Sequence, residues 1–273
     1  MKICKIKGES SMKENVAAKG HPILFSLMLG VVLTLLIAVA SAVATILEFD
    51  DTGIMFAQGC AFFLMAVIVT VYMKKKDRSM RLFGFKWLDI RKEKVTLYYI
   101  PLLVIVAVQP IMGGFNLELS VTEIVLILVF SLLVGYTEES IFRGILRERL
   151  QSKGTLFYII FSSIFFGILH MANALNGSDL IHTLLQVLNA FLIGFILALL
   201  IETTHNIVPL IAFHFMFDAL AQMTNTTITD KEVLVVSILN ILCLIYGGYL
   251  IVVLMRRRKL TKSLSDSLIT PGN

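Results

Sequence analysis

The feature that most constrains this chain is a succession of eight apolar stretches, near residues 23–47, 54–73, 95–112, 121–142, 155–171, 180–201, 206–222 and 233–255. A bilayer hydrocarbon core about 30 Å thick takes roughly 20 residues at 1.5 Å per residue, or about 17–25 once tilt is allowed. Every stretch meets or approaches that length. The expected fold class is therefore all-α, a polytopic transmembrane helical bundle of about eight spans. Composition agrees, with 57% hydrophobic and 16% charged residues against about 45–50% and 25% in soluble domains. No polar stretch between the runs is long enough to bury a core of its own. Residues 1–273 read as a single integral membrane domain, with 1–22 and 256–273 as basic cytoplasmic tails.

Lysine and arginine test this layout independently, because they accumulate in cytoplasmic loops. With eight spans and both termini cytoplasmic, the inner segments hold Lys2, Lys5, Lys7, Lys13 and Lys19; nine between Lys74 and Lys94; Arg143, Arg147, Arg149 and Lys153; and Arg256, Arg257, Arg258, Lys259 and Lys262. That is 23 of the 24 basic residues, Lys231 being the exception. Glu48, Asp50, Asp51, Glu118 and Asp179 fall in the outer loops. The first run is about 25 residues long, beyond the 7–15 residues of a signal-peptide core, so it reads as an uncleaved helix. Between Arg81 and Lys94, Phe83, Phe85 and Trp87 alternate with basic residues, as in a short helix lying in the headgroup layer or a solvated loop.

Other classes lose support. Cys4, Cys60 and Cys243 are scattered and form neither a disulfide framework nor a zinc cluster. The net charge of +5 is explained by membrane orientation, which removes the case for a nucleic-acid partner. No internal repeat supports an inverted-repeat transporter.

Ionisable side chains inside apolar spans cost several kcal/mol each unless paired or wetted, so each is a functional candidate. They form three clusters. At the cytoplasmic end of the fourth span, Glu138 and Glu139 precede Phe142 and Arg143. Glu139 and Arg143 are four apart and can pair on one helix face, whereas Glu138 points about 100° away without a local partner. His170 closes the fifth span, and His214 and Asp218 lie four apart on the seventh. His21, His182, His205 and Glu202 read as ordinary interface residues, and Arg147, Glu148 and Arg149 as solvated residues at a helix end.

Together the clusters resemble the CAAX protease and bacteriocin-processing family, also called Abi, with type II CAAX prenyl proteases among its members. The motifs that carry the likeness are E-E-x-x-x-R at Glu138, Glu139 and Arg143, then F-x-x-x-H from Phe166 to His170, then H-x-x-x-N or D from His214 to Asp218. The likeness covers about residues 120–220. It implies a glutamate-dependent intramembrane endopeptidase of a bacterial cell membrane, with a cavity open to the cytoplasmic side and a membrane-associated peptide or protein as substrate. Glu138 would be the general base, with His170 orienting the water. His214 and Asp218 would stabilise the oxyanion, and Glu139 with Arg143 would hold Glu138 in place. Asp218 departs from the common Asn, whose amide can donate; an ionised Asp218 cannot, and would instead orient His214 from behind.

No cofactor is implied. A zinc-dependent version of the same hydrolase stays open, since two His with Glu and Asp can bind zinc, although no H-E-x-x-H helix occurs. A non-catalytic membrane scaffold or bacteriocin-immunity factor is the alternative from another class. Straight helices would leave His170 about 20 Å and His214 about 12 Å from the cytoplasmic end, so convergence demands short, tilted or displaced helices.

Overall fold

A computed structural model describes residues 21–87, 94–172, 180–225 and 231–269. The basic residues expected in the tail before His21, Asp179, and residues 88–93 of the segment expected at the headgroups lie outside these. Among the described residues the regular structure is helical, with short non-helical connections and one isolated bridge between Phe115 and Thr224. The helices are α1 (Pro22–Ile46), α2 (Asp51–Lys76), α3 (Ile100–Gly113), α4 (Val121–Glu139), α5 (Leu146–Leu150), α6 (Thr155–Leu169), α7 (Leu180–Thr204), α8 (Val208–Gln222) and α9 (Glu232–Ile269). A π turn over Ser140–Ile145 joins α4 to α5, so that Val121–Lys153 forms one long apolar helical segment.

Among the described residues, six helical segments are long and apolar enough to cross a bilayer. The chain is a multi-pass integral membrane protein. The exceptions are α6 and α8, at 15 residues each, or about 22 Å. They carry the histidines, and their shortness is what lets His170 and His214 meet. Ile207 and Leu210 are fully buried while Val208 is exposed, so the start of α8 packs into the bundle on one face only. The backbone amide of Ile207 donates to the Gly84 carbonyl at 2.9 Å, which seats the start of α8 under the segment that follows α2.

Helix ends are set by local chemistry. Asp50 caps α2 through the Gly53 amide at 2.7 Å. Ser120 and Glu123 form a capping box at the start of α4, each side chain accepting from the other's amide. Within the bundle, α4 packs on α2 and α8, and α6 packs on α7. Two glycines permit the closest of these approaches. A Cβ on Gly167 would lie 3.0 Å from Phe191 Cβ and 3.1 Å from the Val187 carbonyl. One on Gly135 would lie 3.0 Å from the Phe215 amide nitrogen and 3.2 Å from the Ile211 carbonyl. Backbone atoms cannot swing aside, so Gly135→Ala must push α8 away from α4. The expected loss is about 1–3 kcal/mol of stability, read as a lower unfolding midpoint of the detergent-purified protein. An unchanged midpoint would mean that α8 has slack at this crossing.

The basic end differs from the sequence expectation. Arg147, Glu148 and Arg149 are partnered rather than solvated. Arg147 Nε donates to Glu202 Oε1 at 2.6 Å, and Lys76 Nζ pairs with Glu148 Oε2 at 2.7 Å. Arg149 donates to the Tyr72 hydroxyl at 2.9 Å with its guanidinium 4.3 Å from the Phe25 ring centroid. Arg147 Nη2 also donates to His205 Nδ1 at 2.8 Å. Burial and the Arg147 cation hold the His205 imidazole below its ordinary pKa, which keeps the ring a neutral acceptor. Within the described part of the segment expected at the headgroups, Arg81–Phe83 forms a 3₁₀ turn, and Phe83 is buried in the core while Trp87 is fully exposed.

Candidate active site

Three helices and the π turn deliver one side-chain cluster. Glu138 and Glu139 end α4, Arg143 sits in the π turn, Phe166 and His170 close α6, and His214 and Asp218 occupy α8. Glu139 and Arg143 are completely buried. Burying two charges is tolerable only if each is compensated. Arg143 Nη1 donates to Glu139 Oε1 at 3.2 Å, and its Nη2 donates to the Gly194 carbonyl of α7 at 3.1 Å. Its guanidinium lies 4.7 Å from the Phe166 ring centroid and 5.6 Å from that of Phe142, a cation–π arrangement that suits arginine's weakly hydrated plane.

The same carboxylate oxygen, Glu139 Oε1, also accepts from His214 Nδ1 at 2.9 Å. A carboxylate only accepts, so Nδ1 carries a proton and the ring is fixed in orientation. Its other nitrogen, Nε2, faces two more carboxylates, with Asp218 Oδ2 at 3.4 Å and Glu138 Oε2 at 3.7 Å. The contacts differ from the sequence expectation at two points. The carboxylate at His214 Nδ1 is Glu139, whereas Asp218 faces Nε2 beside Glu138. The buried pair of Glu139 and Arg143, expected to hold Glu138, bonds His214 through Glu139 Oε1.

Phe166 explains why an aromatic residue stands four before His170. Its carbonyl accepts from His170 Nδ1 at 2.9 Å, which leaves Nε2 as that ring's free position. Its ring meets the His170 ring at 5.0 Å and the His214 ring at 6.1 Å, centroid to centroid, while its face receives Arg143. In the sequence Phe166 is only a motif letter; in the fold it sits among Arg143, His170 and His214.

Glu138, His170, His214 and Asp218 line one cavity of about 400 Å³, which also takes in Gln58 and Gln222. Glu138, His214 and Asp218 side chains are 14%, 9% and 26% exposed, against complete burial of Glu139 and Arg143. The cluster is thus divided into a dry half that orients and a wetter half that can meet a substrate. Gln58 and Gln222 were missed in the sequence, where a glutamine within an apolar run carries no signal. Gln222 Nε2 donates to Ser131 Oγ at 3.0 Å, and Gln58 Nε2 donates to Ser41 Oγ at 2.8 Å. Among the described residues, no group of three or more His, Cys, Asp and Glu side chains has the spacing that holds a metal ion.

Residues 120–220 match a protein family described as Rce1-like, type II CAAX prenyl endopeptidase Rce1-like. No curated protein matches the chain.

Proposed function

Because residues 120–220 are similar to the Rce1-like CAAX prenyl endopeptidases and contain every helix that supplies the cluster, we propose that this chain is an intramembrane endopeptidase acting through Glu138. The observation that carries the reading is the two-sided fixation of His214. Glu139 locks Nδ1 at 2.9 Å, so that Nε2 is presented beside Glu138 inside a cavity large enough for a peptide strand.

Hydrolysis then proceeds as follows. Water enters between Glu138 and His170, donating one proton toward Glu138 and another toward His170 Nε2. As its oxygen attacks the scissile carbonyl carbon, Glu138 takes the proton. A proton on His214 Nε2 donates to the developing oxyanion, in a site dry enough to strengthen that bond. Glu138 next returns its proton to the departing nitrogen as the C–N bond breaks, leaving a carboxylic acid and an amine. Asp218 holds the Nε2 proton of His214 until the substrate oxygen takes its place. Glu139, Arg143 and Phe166 are positioning residues.

The reading extends to topology and substrate. One membrane domain, with both basic ends cytoplasmic, is supported by the distribution of 23 of 24 basic residues. The substrate is a peptide or protein segment at the membrane, and no metal takes part. Comparative peptidomics of cells carrying the wild-type chain or Glu138→Ala, at matched membrane abundance, tests activity and finds the substrate together. Peptides that accumulate uncleaved only with Glu138→Ala are the expected result. If the two peptidomes agree while a cellular phenotype of the chain persists, its role is binding rather than catalysis. Cleavage abolished by a chelator and restored by zinc would replace the metal-free mechanism with a zinc one.

A further inference from the structure

Apart from Glu138 at the end of α4 and Phe142 in the π turn, the helices that line the catalytic cavity contribute to it from one end of the bundle. Gln58 lies in the first third of α2 and Phe130 at the middle of α4; His170 caps the far end of α6; Gln186 lies in the second turn of α7; Ala221 and Gln222 end α8. These positions adjoin the α1–α2, α6–α7 and α8–α9 connections. A second cavity of about 500 Å³ continues from the first, sharing Gln186, Asp218 and Ala221 with it. It runs between α3, α7, α8 and α9 to the contacting side chains of His182 and Glu232, at the same end.

The opposite end is filled. Phe83, Ile145, Leu150, Ile201 and Ile207 are all at most 1% exposed, and the pairs Lys76–Glu148 and Arg147–Glu202 cross over them. Among the described residues, that filled end carries Lys74, Lys75, Lys76, Arg147, Arg149 and Lys153, with Lys231 as an exception at the other end. Positive charge marks the cytoplasmic end. The resemblance to CAAX proteases implies a cavity open to the cytoplasm, and the two directions disagree.

We propose that the catalytic chamber is entered from the non-cytoplasmic face, so that its substrate is an exported peptide, or the outer juxtamembrane segment of another membrane protein, rather than a cytosolic tail. The substrate assignment rests on the peptidase reading of the site; the direction of entry does not. A strand arriving from that face meets the amide side chains of Gln186 and Gln222 first. Asp218, at the junction of the two cavities, stands where the strand would pass the catalytic groups, with one cavity for each side of the scissile bond.

Cysteine labelling tests the direction without any turnover. In a full-length chain with Cys4→Ala, Cys60→Ala and Cys243→Ala, single reporters Thr34→Cys and Ala221→Cys line the chamber. Glu48→Cys, in the α1–α2 connection, and Lys153→Cys, beside the π turn, mark the two exposed ends. A membrane-impermeant maleimide is applied to sealed vesicles of each orientation. Thr34→Cys and Ala221→Cys are expected to label from the face that labels Glu48→Cys, with labelling lost from the face that labels Lys153→Cys, and that second face is expected to be cytoplasmic. Labelling of both chamber reporters from the Lys153 side or from neither side overturns the proposal, as does a non-cytoplasmic Lys153. If labelling is as expected but Glu138→Ala leaves the peptidome unchanged, the direction stands and the peptidase reading falls.

Discussion

Glu138→Gln is expected to abolish peptide cleavage while the protein stays in the membrane at its wild-type abundance. Glutamine keeps the shape of the side chain and cannot take a proton from water. A positioned general base contributes about 10²- to 10⁴-fold to rate, and here the same group also reprotonates the leaving nitrogen, which favours the upper part of that range. Folding is spared for a separate reason. The nearest ionic partner of Glu138 is His214 Nε2 at 3.7 Å, a distance too long for a hydrogen bond, so the fold does not depend on its charge. The measurement is the rate of product formation per molecule of membrane-embedded protein, on a peptide found by the peptidome comparison. Cleavage by Glu138→Gln near the wild-type rate would remove Glu138 as the base.

Arg143→Met is expected to have the opposite signature, a protein that fails to accumulate or unfolds well below the wild-type temperature. Arg143 is completely buried and is the cation paired with Glu139, a carboxylate without solvent access. Removing one member of a buried pair costs about 3–5 kcal/mol, because the other charge is left uncompensated. The variant also loses the bond to the Gly194 carbonyl and the contact with Phe166. Adding Glu139→Gln to Arg143→Met removes the orphaned charge and is expected to recover part of the stability without recovering activity, since His214 has lost the carboxylate that fixes its ring. Unfolding midpoints of the three chains in detergent decide the matter; a singly substituted Arg143→Met as stable as wild type would contradict it.

The reach of the sequence follows from what each inference depends on. Helix positions depend on apolar length, a local property, and α1, α2, α4, α6, α7 and α8 lie close to the apolar stretches, whereas α9 begins with its stretch and continues to Ile269, through the basic segment expected as a tail. Glu138, Glu139, Arg143, His170, His214 and Asp218 were legible because an ionisable group in an apolar run is conspicuous. Which of them touch was not legible, because the contacts join residues on different helices. The bond from His214 to Glu139 spans 75 positions, and helical periodicity says nothing across such a gap. The same blindness made Arg147 and Arg149 read as solvated, since Glu202 and Tyr72 are 55 and 77 positions away. The π turn was hidden for another reason: nothing in the sequence Ser-Ile-Phe-Arg-Gly-Ile marks an extra residue in the turn. The side of the bundle on which the cavity lies is a property of packing alone.

The π turn has a consequence for how this chain can vary. A π turn carries one residue more than the α-helical turn it replaces, so it sets the rotational phase between Glu139 above it and Arg147, Glu148 and Arg149 below it. Deleting one residue from Ser140–Ile145 would leave a plain α-helix of nearly the same phase, because the extra residue of the π turn is the one removed. Forcing all six residues into α geometry would instead swing everything beyond by roughly 100°, and the three basic-end partnerships would then point at the wrong neighbours even though every residue making them was retained. The wider winding of this stretch absorbs its extra residue and keeps the two flanking helix faces in step.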